Sequence, residues 1–328
     1  MMKNSPTFHR RGLIAAIALA CTAGGAWAQA TAYPTKPIRL VVPTAAGAVT
    51  DLAARLIASK MTTILGQSVF VDNKAGAGSR IGSEFVARAP ADGYTLLFAY
   101  AVTHGTLPAL SRSLPYDPIK DFTPVAGLFW YASTIVCHPS VPANNVRELI
   151  DYAKKNPNKL SNASAGPGSG NHFSGELFNS MAGVEILHVP YKGSGPAMVD
   201  VIAGISSCSH EGTAKQFVET GKVKAIATTG LTRDPRFPNL PTVDESGLKG
   251  YNITWWQGLA APAGTPPEIV DKLTKAAQAA LADPEIQAKA YEIGLNVQYL
   301  APQPMGKLMV DTIDKFKKIA AQARIESQ

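Results

Sequence analysis

Apolar and polar positions follow two rhythms along this chain. "IRLVVP" (38–43) is a short apolar run that predicts a strand, and residues 50–65 follow with Leu52, Leu56, Ile57 and Ile64 on one side of a helix. Thr50 or Asp51 can cap the start of that helix. "SVFVDN" (68–73) predicts the next strand, "KAGAGSRIG" opens a helix through Ala89, and "YTLLFAY" (94–100) predicts a third strand. This βαβαβ order predicts a mainly parallel sheet with helices on both faces.

From about Asp121 the rhythm changes. "FTPVAGLFWYASTIVCHP" reads as two adjacent strand-like runs. Helix 145–155, strand 159–164, the glycine-rich "SAGPGSGNH", helix 172–181, strand "ILHVPY" (186–191), helix 195–203, a strand-like 205–210 and "KVKAIATT" (222–229) make a second α/β unit. Past "DPRFPNLPTVDESG", helices are predicted near 266–281, 284–292 and 303–325. The pattern predicts two α/β lobes, with the chain crossing near 121–130 and returning near 250–256. A length of 328 residues suits two domains.

The first 28 residues change the count. Lys3, Arg10 and Arg11 precede "GLIAAIALACTAGGAWA", which ends in Ala26-Trp27-Ala28. A basic start, a short apolar run and an A-x-A site predict a signal peptide cleaved after about Ala28, hence an exported, periplasmic protein. "HRRGLI" fits a twin-arginine signal poorly, and Cys21 sits early for a lipoprotein cysteine. Without these residues, 28 basic side chains face 24 acidic ones, a net +4. The basic residues are scattered, which argues against a nucleic-acid partner, while a mild positive field suits a small anion. Cys137 and Cys208 remain; export permits a disulfide, but their apolar and small-residue surroundings favour two buried thiols.

Motifs for catalysis are weak. Gly76, Gly78 and Gly82 have G-x-G-x-x-x-G spacing with no acidic residue placed for a ribose, so a tight turn into a helix is the better reading. Gly168-Ser169-Gly170 lacks the frame of a nucleophile elbow. His172 has no evident carboxylate to orient it, and no His/Cys group has metal-ligand spacing. No catalytic residue, cofactor or metal is expected.

What recurs is a strand, a small-residue hydroxyl-bearing loop and a helix start, at 43–51, 75–82, 164–172 and 191–197. A helix N-terminus offers unpaired N–H groups and about half a positive charge. Two such corners across a cleft form an anion site without arginine or lysine. Thr44 to Thr50 is then bare so that a carboxylate can rest on its amides.

These residues also match a family. "YPTKPIRLVVP…TDLAARLIASKM", "ADGYTLLFA", "LPYDPIKDFTPVAGL", "HVPYKGSGPAMVDVIAG" and "DPRFPNLPTVDESGL", in this order, resemble the Bug-type (TctC-like) periplasmic receptors of tripartite tricarboxylate transporters. The resemblance implies an α/β, two-lobed venus-flytrap fold of type II with the ligand cleft between lobes. Lobe 1 would comprise 29–125 plus 255–328, and lobe 2 126–254. It implies a monomeric receptor, not an enzyme, that delivers a small carboxylate to membrane components. Carried onto this sequence, it nominates Thr44, Ala46, Gly47, Ala48 and Asp51 on one side and Ser164, Gly168, Ser169 and His172 opposite. Asp51 is expected to orient the loop or its water, since like charges repel.

Two departures stand out. The family's P-x-P-G-G loop is T-A-A-G-A here, and the strand that usually reads V-D-x-x-F-D becomes "ISSCSHEG" (205–212), with Ser207 and Glu211 in place of aspartates. A distal carboxylate held by Ser207, Ser209, His210 and Thr213 is the expectation. Tyr100, Phe129, Trp130, Tyr131, Trp255 and Trp256 fall near lobe-facing segments, and His104 is a further polar candidate. One or two rings stacking on a flat ligand would favour an aromatic diacid such as terephthalate over adipate or citrate. A ligand-loaded sensor partner fits the same features, and an exported hydrolase has only Ser169, Ser174 and His172 to support it.

Overall fold

The structure is a computed structural model that describes Met1, residues 33–323 and Ile325. Apart from Met1, the expected signal peptide lies outside the described residues. Met1–Thr35 is a unit by itself, and the main body begins at Lys36. Among the described residues no helix is long and apolar enough to cross a membrane.

Two sheets organise the body. The first begins with β1 (Ile38–Val42), α1 (Val49–Leu65), β2 (Val69–Asn73), α2 (Arg80–Ala87) and β3 (Thr95–Tyr100). A π-helical turn (Val102–Thr106) and the short α3 (Leu107–Leu110) lead to the eleven-residue β4 (Phe122–Ala132). The second sheet is built from β5 (Thr134–Cys137), α4 (Val146–Lys155), β6 (Ser161–Ser164), α5 (Gly170–Ala182), β7 (Leu187–Pro190), α6 (Ser194–Ile202), β8 (Cys208–Glu211), α7 (Lys215–Glu219) and β9 (Lys224–Thr228). The chain then returns through β10 (Thr254–Pro262), α8 (Pro267–Leu281), α9 (Pro284–Glu292), β11 (Asn296–Leu300) and α10 (Pro302–Gln322).

Strand order is β11-β4-β10-β3-β1-β2 in the first sheet and β7-β6-β8-β5-β9 in the second. Both sheets are mixed, where the sequence pattern predicts mainly parallel ones. β1 pairs with β2 and β3 in parallel, and β6 with β7 and β8, but β10 and β5 are inserted antiparallel to both of their neighbours. The cause is the double crossover. A strand that enters a sheet from the other lobe runs away from the hinge, against strands that end there.

The crossovers touch. Ser133 N–H donates to Thr229 Oγ1 at 2.9 Å, and Thr229 N–H donates back to the Ser133 carbonyl. Behind them, Trp255 stacks on Phe316 of α10 at 5.4 Å and donates its Nε1–H to Ser133 Oγ, while Trp256 donates to Thr312 Oγ1. Both tryptophans are fully buried packing residues, each indole N–H being satisfied inside the core. Phe316 also meets Phe173 of α5 edge-on at 5.2 Å, so α10 packs against the second lobe as well as the first.

Cys137 and Cys208 face each other across the antiparallel β5–β8 ladder and are joined in a disulfide, not left as two thiols. Local composition favours thiols only because it does not show that a residue 71 positions away is the direct cross-strand partner.

Candidate functional site

The corner between β1 and α1 is held by one buried carboxylate. Gly47, at φ +83°, sits in the left-handed region that glycine tolerates, and its N–H donates to Asp51 Oδ2 at 2.9 Å. Arg55 Nε donates to the same oxygen at 3.0 Å. Asn73 Nδ2 donates both to Asp51 Oδ1 (2.9 Å) and to the Thr44 carbonyl (3.1 Å). Burial raises the Asp51 pKa, but Arg55, the Gly47 N–H and Asn73 together pull it below the usual value. Asp51 therefore clamps the loop from behind. The helix cap is Ala48, not Thr50 or Asp51, and no side chain accepts from the first-turn amides. Ala46 and Gly47 are exposed and Ala48 half-buried, so the corner presents backbone, with the dipole of a 17-residue helix behind it.

The second corner of this lobe turns through Gly76, Gly78 and Ser79, all at positive φ. Gly82 packs so tightly that a Cβ there would lie 2.8 Å from the Lys74 carbonyl and from Pro43, which accounts for the third glycine without a nucleotide. Ser79 Oγ meets the Tyr100 hydroxyl at 2.6 Å, and burial pushes that phenol up to about 12.

In the second lobe, Ser164 Oγ meets His188 Nε2 at 2.6 Å and accepts from the Gly166 N–H at 3.1 Å. Gly168 N–H donates to His172 Nδ1 at 3.2 Å, and Ser169 caps α5 by accepting from the His172 N–H at 3.4 Å. His172 and His188 stack at 4.1 Å; burial, then the neighbouring imidazole, holds His172 down at about 4. His172, Glu176 and His188 are the group among the described residues whose ligand atoms lie close enough to hold a metal ion. Their rings are inclined by only 28°, so in-plane lone pairs do not converge on a point, and as placed they form a stack rather than a ligand set.

The lobes meet at these corners. Thr106 Oγ1 donates to the Gly168 carbonyl at 2.7 Å, and a Cβ on Gly78 would lie 3.5 Å from the Pro167 carbonyl. At Gly212 a Cβ would lie 2.9 Å from the Tyr131 ring and 3.4 Å from Val49, the first residue of α1. The 44–51 corner thus meets the other lobe at Gly212 through Val49, and the 76–79 corner meets it at Pro167 through Gly78. Thr213 follows directly and is half-buried.

Three nominated residues do not join this group. Ser207 is bound to Ser161, Oγ accepting from the Ser161 N–H at 3.1 Å, at the opposite end of β8 from Glu211. His210 lies within the second lobe, Nδ1 paired with Asn162 Oδ1 at 3.1 Å and the ring against Phe178; burial holds it down at about 3. His104 is sealed between Phe122 and Trp256, with Nδ1 on Thr103 Oγ1. Alternation along β8 explains the split, since Cys208 and His210 point to one face while Ser209 and Glu211 point to the other. Ser209 donates its hydroxyl proton to the Ala163 carbonyl at 2.9 Å, and Glu211 Oε1 lies 3.3 Å from the same hydroxyl.

Glu211 and Asn171 are not among the ligands that the sequence nominates, whereas Tyr131, beside Gly212, is one of the six rings it offers for stacking. A glutamate in a strand expected to carry aspartate is the one sequence signal that points there.

The arrangement has clear relatives. The solved structure of the periplasmic binding protein BugD is 40% identical and superposes with a TM-score of 0.85 over 90% of this chain and 100% of that one. An R. palustris protein solved with adipate is 36% identical with a TM-score of 0.87, covering 90% and 99%. MatC from Rhodopseudomonas palustris, with bound malate, is 34% identical with a TM-score of 0.82, covering 88% and 99%. Residues 53–325 match the TctC profile, described as the tripartite tricarboxylate transporter family receptor. With the two-lobed α/β architecture and facing corners already in place, the chain belongs to the TctC family of tripartite tricarboxylate transporter receptors.

Proposed function

We propose that this protein is a periplasmic receptor that captures a small dicarboxylate between its lobes, releases it unchanged, and delivers it to the membrane components of a tripartite tricarboxylate transporter. The lobes divide at the crossovers, at Ser133 outward and between Thr229 and Ile253 on return. The observation that carries the reading is the 44–51 corner, whose helix start has no side-chain cap and whose Val49 meets Gly212 of the other lobe. One carboxylate rests on those amides. Thr44, Ala46, Gly47 and Ala48 supply the surface, with Ser164, Gly168 and Ser169 framing the opposite loop.

An aliphatic diacid is favoured, because two relatives were solved with adipate and malate and because Trp255 and Trp256 are committed to packing. Terephthalate is the second reading, supported by Tyr131 over Gly212 and by Tyr100 behind Ser79. Thermal shift of the mature protein against adipate, malate, citrate, terephthalate and benzoate tests this. A diacid at 100 times its dissociation constant stabilises by about 2.7 kcal/mol, easily seen in a melting curve. A response to diacids and none to benzoate supports the reading; silence across the panel refutes it.

A further inference from the structure

Glu211 is a buried acid beside the meeting point of the lobes in a receptor for anions. It ends β8, opposite Thr134 of β5, and is almost wholly buried. Asn171 Nδ2 donates to its Oε1 at 2.8 Å, and the Ser209 hydroxyl lies 3.3 Å from the same oxygen. Asn171 belongs to the first turn of α5 and donates also to the His210 carbonyl, which fixes its amide and with it the carboxyl plane. The next residue, Gly212, is the point where this lobe meets Tyr131 and Val49 of the facing corner. Glu211 is therefore held by one oxygen from its own lobe, beside the place where the two lobes close.

We propose that Glu211 is the specificity-determining residue for the far end of the solute: its Oε2 carries a proton and donates it in a hydrogen bond to the distal carboxylate, so that diacid and proton are captured together. This rests on the receptor reading above. Two carboxylates within hydrogen-bond distance cannot both be ionised, and the usual outcome is that they share one proton. The surroundings favour Glu211 as its holder. No cation is among its described partners. Burial raises its pKa to about 7, against the opposing hydrogen bonds of Ser209 and Asn171.

The other titratable groups nearby do not compete for that proton. Tyr131 from β4 is pushed up by burial, Tyr100 and Glu211, and Tyr100 from β3 is at about 12. His172 on α5, at about 4, and His210 on the reverse face of β8, at about 3, stay neutral near pH 7. Asp51, beyond the bare amides, is ionised and already occupied by Gly47, Arg55 and Asn73. A proton-carrying carboxyl also explains how a strand with an acid at this position holds an anion at all.

The test is isothermal titration of the mature protein with adipate and with terephthalate, in buffers of different ionisation enthalpy, between pH 6.5 and 9. Proton uptake approaching one per diacid near pH 8 is expected, with affinity falling toward tenfold per pH unit above it. Benzoate or butyrate, lacking the second carboxylate, should show neither. Glu211→Gln keeps an acceptor for Asn171 and a donor at every pH, so it should bind the diacid within a few-fold of wild type at pH 6.5 and lose both the uptake and the pH slope. Binding of diacid without proton uptake, or identical pH profiles in wild type and Glu211→Gln, would overturn the role of Glu211 while leaving the receptor reading standing. Absence of any diacid binding would overturn both.

Discussion

Ser133 and Thr229 hold each other where the chain passes between the lobes: each N–H donates to the other residue, to Thr229 Oγ1 in one direction and to the Ser133 carbonyl in the other. The Thr229 hydroxyl also donates to the Ile253 carbonyl at 2.8 Å, so one side chain ties the outgoing strand to the returning one. All of this is buried. Thr229→Val preserves the shape but leaves the Ser133 N–H without its partner and the Ile253 carbonyl without the hydroxyl. A destabilisation of about 1–3 kcal/mol is expected, read from the urea midpoint at unchanged m-value. A variant as stable as wild type would show that the crossovers are held by packing alone.

Asp51 offers a test of the clamp behind the bare corner. Its carboxylate is paired in the fold, so its folded pKa lies below the unfolded value of 3.8. The stabilisation is therefore fully present above the unfolded pKa and is lost as pH falls through the folded one. Asp51→Asn should be less stable than wild type by an amount that is constant above about pH 5 and shrinks below about pH 4. Diacid affinity should fall by about tenfold, since loosening the Gly47 N–H misplaces the amides proposed to hold the carboxylate. A stability gap that widens on acidification would contradict the pairing.

The Cys137–Cys208 disulfide closes a long loop, its two ends 71 residues apart. Chain-entropy arguments give about 4 kcal/mol for a loop of this length, with about 2–4 kcal/mol typical in practice. Reduction should lower the melting temperature of the protein, and Cys137→Ala/Cys208→Ala should match the reduced wild type. Equal melting with and without reductant would mean the bridge constrains little.

Much of the architecture is legible in the sequence because strand and helix rhythms differ. Ile38–Val42, Val49–Leu65 and Gly170–Ala182 emerge close to the predicted ranges. β10 is not legible: "TWWQGLAAP" reads locally as part of a crossover, since nothing nearby shows that Thr312 and Phe316 wait to receive its tryptophans. β11, "NVQYL", is an edge strand with exposed positions and carries no clean alternation. At the site, small residues announce the corners, whereas the partners do not announce themselves. Asp51 looks like a cap, but Asn73, 22 positions away, draws it behind the loop, and Asn171 reaches Glu211 across 40. Local pattern cannot specify such pairings; they follow from register and from which face of β8 each side chain takes.

His210 separates a core role from a distal ligand role most cleanly. The ring is buried against Phe178, with Nδ1 on Asn162 and Nε2 without a partner among the described residues. Burial keeps it neutral in the fold to about pH 3, while the unfolded chain takes up a proton near the ordinary value of 6.5. As pH falls below 6.5 the unfolded state gains a proton that the folded state refuses, so stability drops across that window. His210→Phe removes this liability and the unsatisfied nitrogen, with loss of the bond to Asn162. The variant should gain stability relative to wild type on going from about pH 8 to about pH 5, and the pH dependence of its urea midpoint should flatten accordingly. Diacid affinity at about pH 7 should stay within about threefold of wild type, because the ring points away from the corner where Gly212 meets Val49. A selective loss of diacid binding, with monocarboxylates unaffected, would instead place His210 at the far end of the solute and require β8 to turn its other face to the cleft.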